Sequence, residues 1–197
     1  MIRRVARAAL AAMLVMLAGC VSAPAALPPP ASLQGFGLDG RISVTYGVPS
    51  LSGKLQWTHE PARDDISLAS PLGTQVASLV RSDGTVTLTD SERNVYRASD
   101  AETLTEQRLG WRLPLAGLVD WVRGRAQDGV AAEVRRDARG RIDFLAQADW
   151  RIEYAYDDRE AATPNPASAL PRRLILRYVK ALEPLEIRMV IDQWSAP

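Results

Sequence analysis

The chain has 197 residues, with 24 Lys and Arg against 23 Asp and Glu, a net charge of +1 and no long run of one sign. That balance excludes the concentrated basic surface that nucleic-acid binding needs. A lone cysteine excludes an internal disulfide, and the length suits one domain with a sizeable core.

In chain order, the first element is a leader. Arg3, Arg4 and Arg7 precede an apolar stretch from Ala8 to Ala18, the layout of a secretory signal. The stretch is too short to cross ~30 Å of hydrocarbon as a helix. It closes on Leu17-Ala18-Gly19-Cys20, which resembles the lipobox of bacterial lipoproteins. The resemblance implies that the Cys20 thiol receives diacylglycerol, that residues 1–19 are removed, and that the new amine is acylated. The rival reading is an ordinary signal peptide with an accidental cysteine. Two or three acyl chains anchor firmly where one binds only marginally. In lipoproteins an Asp after the cysteine retains the protein at the inner membrane. Val21 stands there instead, which implies the outer membrane, on its periplasmic face. Residues 20–34 thus hold the lipidated cysteine and an Ala/Pro-rich run without periodicity, expected as a semi-rigid tether. A single domain over 35–197 follows.

Gly35-Phe36-Gly37-Leu38-Asp39-Gly40 matches G-x-G-x-x-G formally. It follows a tether and precedes a strand, whereas a dinucleotide site follows a strand and opens a helix. Alternation then marks half-buried strands at Ile42–Tyr46, Leu55–Trp57 and Ile66–Leu68. Ser70-Pro71-Leu72-Gly73 fits a type I turn, with Leu72 at its tip facing water. Asp83-Gly84 joins a strand through Val80 to one over Thr85–Thr89 as a hairpin. Ser99 to Glu102 has capping-box spacing and opens a helix to about Leu109. Pro114 opens a second, with Leu115, Leu118, Val119 and Val122 on one stripe, ending at Gly124. That helix either covers a sheet face or plugs an apolar cavity. Arg139-Gly140 marks a turn between Val130–Arg136 and Ile142–Phe144. Trp150–Tyr156 alternates clearly, and Leu174–Val179 with Leu185–Trp194 forms a last hairpin.

Ten or eleven strands without helical crossovers predict a mainly β, open antiparallel barrel with a short helical plug or lid, rather than an α/β fold. His59 is the only histidine, and no cysteine falls in the folded part, so neither a metal site nor a familiar triad is expected. Asp64-Asp65 and Asp157-Asp158 read as turn residues. Catalytic residues and cofactors are expected to be none.

Several motifs in order carry a resemblance. Phe36-x-Leu38-x-Gly40-Arg41-Ile42, Gly53-x-Leu55-x-Trp57 and Ser70-Pro71-Leu72-Gly73 lead. Leu113-Pro114-Leu115, Leu118, Trp121-x-x-Gly124, then Trp150, Ile152 and Tyr154, Leu170-Pro171 and Ile191-x-x-Trp194 follow. Together with the lipobox they resemble the LolB family of outer-membrane lipoprotein receptors. The resemblance implies an open β-barrel with a helical plug that binds acyl chains. It implies acceptance of client lipoproteins from a periplasmic carrier, LolA-like, and their insertion into the inner leaflet of the outer membrane without ATP. Leu72 matches the family's exposed leucine, needed for membrane insertion. Acyl-cavity candidates are Ile42, Val44, Leu55, Trp57, Ile66, Leu68, Leu118, Ile152 and Tyr154, for which core and cavity readings are both open. A monomer is expected. The rivals are an envelope lipoprotein that binds lipid or scaffolds without transfer, and a lipoprotein hydrolase.

Overall fold

The computed structural model describes residues 35–47, 51–157, 169–180 and 183–197. Cys20, the leader, the tether and Asp158 lie outside them. Six strands come first: β1 (Phe36–Tyr46), β2 (Leu51–Glu60), β3 (Arg63–Ala69), β4 (Gln75–Ser82), β5 (Thr85–Asp90) and β6 (Val95–Ala98). Two helices, α1 (Ala101–Leu109) and α2 (Leu115–Trp121), interrupt the strand series. Then come β7 (Ala132–Arg136), β8 (Ile142–Gln147), β9 (Trp150–Ala155), β10 (Arg173–Tyr178) and β11 (Leu185–Ser195).

All eleven strands form one antiparallel sheet in the order β6-β5-β4-β3-β2-β1-β11-β10-β9-β8-β7. The edges β6 and β7 do not pair, so the barrel is open. Period-two alternation makes one face apolar. On β9, Trp150, Ile152 and Tyr154 are buried while Arg151 and Glu153 are exposed. The same alternation on β10 and β11 buries Leu174, Leu176, Ile187, Met189 and Ile191. These join the inward residues of β1 to β5 and of both helices in one core. A fully buried side chain of this size contributes about 1.5–3 kcal/mol, so the shared core binds the sheet to its plug.

Three expectations are corrected. Asp64 and Asp65 lie inside β3, not at a turn. The cap of α1 is Asp100, not Ser99: its carboxylate accepts from the Glu102 and Thr103 amides. An ionised carboxylate suits a helix N-terminus better than a hydroxyl. Pro114 precedes α2 as its N-cap, and α2 ends at Trp121, a turn short of Gly124. Asp83 and Gly84 both have positive φ, 51° and 73°, as a type I′ hairpin requires. Strand β6 lacks an apolar–polar pattern in its sequence, although in the sheet Val95 and Arg97 are exposed and Tyr96 and Ala98 half-buried.

Candidate functional site

The β3–β4 turn is closed by its own backbone. The Gly73 amide donates to the Ser70 carbonyl at 2.9 Å and the Ser70 amide to the Thr74 carbonyl at 2.7 Å. Ser70 Oγ also accepts from the Thr74 amide at 3.2 Å. Gly73 takes φ +88°, where a side chain would be strained. A rigid loop of this kind presents Leu72 to water at 95 % exposure.

The inner face is the second part of the site. Ile42, Val44, Leu55, Trp57, Ile66, Leu68, Ile152 and Tyr154 are all buried on inward positions, and Leu118 is buried on α2. Of these, Ile66 and Leu68 line a small apolar hollow with Ala77, Leu79, Leu88, Leu109, Trp111 and Leu113. Its free volume is about 10 Å³, scarcely room for one water. Ligand pockets run to roughly 300–1,000 Å³, so the hollow as it stands is too small for an acyl chain. A larger cleft of about 650 Å³ lies outside it, lined on one side by Val44, Tyr46, Leu51 and Val76 and on the other by the polar Asp90, Ser91, Glu92 and Asn94 with Tyr96 and Arg108, and also by Leu109 and Trp111. Leu109 and Trp111 therefore form the wall between this open mouth and the hollow. Sequence reasoning gave neither a role, because Leu109 ends the first helix and Trp111 lies in the short link before the second, outside its apolar stripe.

Polar contacts hold that wall. Thr105 Oγ1 donates to the Ala101 carbonyl at 2.8 Å and accepts from the Leu113 amide at 2.9 Å, stapling the return segment to α1. Arg108 stacks over the Tyr96 ring at 4.0 Å, tying the end of α1 to the edge strand. Arg112 reaches across to β10, donating to the Tyr178 hydroxyl at 3.1 Å. The backbone of α1 packs mainly against β5 and β6. Trp121 Nε1 donates to Gln147 Oε1 at 2.8 Å, and Gln147 also binds the Gln127 and Val130 backbone. The far end of α2 is thus tied to the end of β8.

A buried cluster stands at the opposite end of β3. The wholly buried Asp64 accepts from Trp57 Nε1 at 2.9 Å and Arg81 Nε at 2.6 Å, and pairs with His59 Nδ1 at 2.7 Å. Burial alone pushes its carboxyl up. The bonds from His59, Trp57 and Arg81 outweigh that and hold it below the usual carboxylate range. Trp57, a cavity candidate, thus turns its polar edge to this cluster. Burial pushes the Tyr154 hydroxyl up and keeps it neutral, and no group among the described residues bonds it.

The family described as "Outer membrane lipoprotein LolB" matches residues 34–194. A protein of Thiobacillus denitrificans named outer-membrane lipoprotein LolB is 37% identical over 195 residues, 96% of this chain and 98% of that one. One of the same name from Nitrosomonas europaea is 38% identical over 162 residues, 81% of this chain and 72% of the relative. Among solved structures, a DUF1329 family protein from Desulfovibrio piger superposes with TM-score 0.52 at 9% identity, over 85% of this chain and 87% of that one. That last likeness is one of fold alone. With its sequence matched from end to end by curated relatives, this chain belongs to the LolB family of outer-membrane lipoproteins.

Proposed function

We propose that this chain is an outer-membrane receptor that takes lipoproteins from a LolA-like periplasmic carrier and inserts them into the outer membrane. It is anchored through lipidated Cys20 and faces the periplasm. The acyl chains of the client enter the apolar interior between the sheet and the plug, and no covalent chemistry is involved. The observation that carries this reading is the small apolar hollow behind Leu109 and Trp111, with a larger open cleft on their other side. An interior of that kind is dry when empty and gains apolar burial when filled. Each hand-over needs only a better site than the last. Leu72, on a rigid tip, is the side chain that enters lipid.

The test is a mixture of the protein with a carrier–lipoprotein complex, scored separately for acceptance and for insertion into liposomes. Leu72→Glu should fold with stability within about 0.5 kcal/mol of the parent, as an exposed substitution does. It should accept client normally and fail to deposit it, since inserting leucine gains roughly 1.5–3 kcal/mol and a carboxylate resists entry. Lost acceptance, or normal insertion, would remove the membrane role from Leu72. Acceptance without any later insertion by the parent protein would leave a lipid-binding scaffold.

A further inference from the structure

An antiparallel meander sends alternate connections to the same end. The chain passes from β1 to β2, β3 to β4, β5 to β6, β8 to β9 and β10 to β11 at the end that bears Leu72. Six large apolar side chains stand exposed among the described residues: Tyr46, Leu72, Val95, Val130, Val134 and Val179. Five of them lie on this one rim. Tyr46 ends β1, Leu72 tips its turn, Val95 opens β6 and Val179 follows β10. Val130 is held there by Gln147 Nε2, which donates to its carbonyl at 2.8 Å. Only Val134 sits in mid-strand, opposite Leu145. Single exposed apolar residues need no explanation; their gathering on one rim does.

Two further features share that end. The mouth of the interior opens there, with Tyr46 in its wall. Behind the rim, on the outer face, exposed Lys54 pairs in register with Ala69, three residues before Leu72. Lys54 makes no ion pair among the described residues. The charges beside it are already matched: Arg41 holds Asp192 at 2.9 Å and Gln56 donates to Asp39. At ~3.4 Å per residue Lys54 stands about 10 Å behind the tip. The headgroup layer is roughly 5–8 Å deep on each side of the hydrocarbon, and a lysine side chain is long enough to reach into it. With Leu72 in hydrocarbon, the ammonium therefore lies near the lipid phosphates.

We propose that the whole rim, not Leu72 alone, docks on the bilayer, with Tyr46, Val95 and Val179 as further lipid contacts and Lys54 against the phosphates. This rests on the membrane role of Leu72 and extends it to the end of the barrel. Apolar groups on separate turns, backed by a cation one layer behind, match the layering of a lipid surface. Docked so, the mouth faces lipid and acyl chains leave without crossing water.

The test uses the mature lipidated protein in vesicles of phosphatidylethanolamine and phosphatidylglycerol. Leu72→Cys, Val95→Cys and Val179→Cys, with Thr85→Cys at the opposite end, each receive an environment-sensitive fluorophore. The parent protein, with its Cys20 thiol acylated, serves as the unlabelled control. Labels at 72, 95 and 179 should be quenched by lipid-borne quenchers and that at 85 should not. Quenching at 72 alone overturns the rim proposal and leaves the role of Leu72 intact. No quenching at 72 overturns both, by a distinguishable result. As a functional arm, Val95→Glu combined with Val179→Glu should lower insertion at least fivefold and leave acceptance from the carrier unchanged. The milder Ser pair should lie between, with folding followed by thermal melting. Lost acceptance with normal insertion would make the rim a protein-docking surface and overturn the proposal. Lys54→Gln should weaken salt-sensitive binding to the anionic vesicles about fivefold, the equivalent of ~1 kcal/mol. Equal competition by free inorganic phosphate would overturn the headgroup role.

Discussion

Asp64 has no solvent exposure and three donors around it, one of them a charged guanidinium. Asp64→Asn leaves Arg81 without its counter-charge and should cost about 2–3 kcal/mol at neutral pH, less than for a fully buried pair because Arg81 keeps contact with water. The sign of the pH effect follows from the direction of the shift. The folded pKa lies below the unfolded value of ~3.9. The stabilisation is therefore complete above the unfolded value and is lost as pH falls through the folded one. Urea melts from neutral to strongly acid pH should show a flatter acid limb in the variant; an unaltered limb would mean Asp64 contributes nothing to acid stability. A second residue-scale feature is the β8–β9 turn, where Ala148 and Asp149 both have positive φ, 49° and 65°. L-residues pay for that conformation, and asparagine tolerates it better than alanine. Ala148→Asn should raise stability by roughly 0.5–1 kcal/mol, read from the urea midpoint.

Among the elements, the proposed function places most weight on the plug. Its gate side is held by Thr105, by the Arg108–Tyr96 stack and by Arg112, whereas its far side is locked by Gln147. Opening should therefore swing the Leu109–Trp111 segment away from the mouth and leave α2 in place. Trp111→Ala removes most of the wall and should cost about 3 kcal/mol. It should also admit an apolar dye faster than the parent does; slower or equal entry would place the entrance elsewhere. Leu118→Glu forces a charge into the core beneath α2 and should weaken folding. Unchanged stability and dye binding would show that α2 does not close the interior.

The molecule as a whole is a continuous open sheet with two short helices packed into its core. Stability should be graded accordingly: β1 and β11, paired over ten register positions in the middle of the sheet, should exchange amide hydrogens slowest, and α1 fastest among the buried elements. Fatty-acyl ligand should narrow that difference if it fills the hollow and clamps the plug; hydrogen exchange with and without ligand reads this directly. Localisation belongs to the same scale. Cys20→Ala should leave an unprocessed precursor, because the modified thiol is the signal for cleavage. Acylated mature protein of normal mass from that variant would refute the lipobox.

The strand series, the open β class and the exposed turn were legible in the sequence, because alternation and turn chemistry are local. Trp150–Tyr156 shows its inward face within seven residues, and Ser70 to Gly73 spells out its own turn. Other features were hidden for the same reason. The turn at Ala148-Asp149 carries no Gly or Asn signal and is imposed by the strands on either side. Asp64 looks like a turn residue until β2 and β4 bring Trp57, His59 and Arg81 to it across the sheet. Likewise Leu109 and Trp111 become a gate only where α1 meets the mouth, and the five apolar rim residues meet only because antiparallel order returns alternate turns to one end. Sequence by itself determined which residues alternate and where the chain turns. Tertiary structure alone decided which inward side chains face a hollow rather than a solid core, since enclosed volume depends on contacts between residues far apart in the chain.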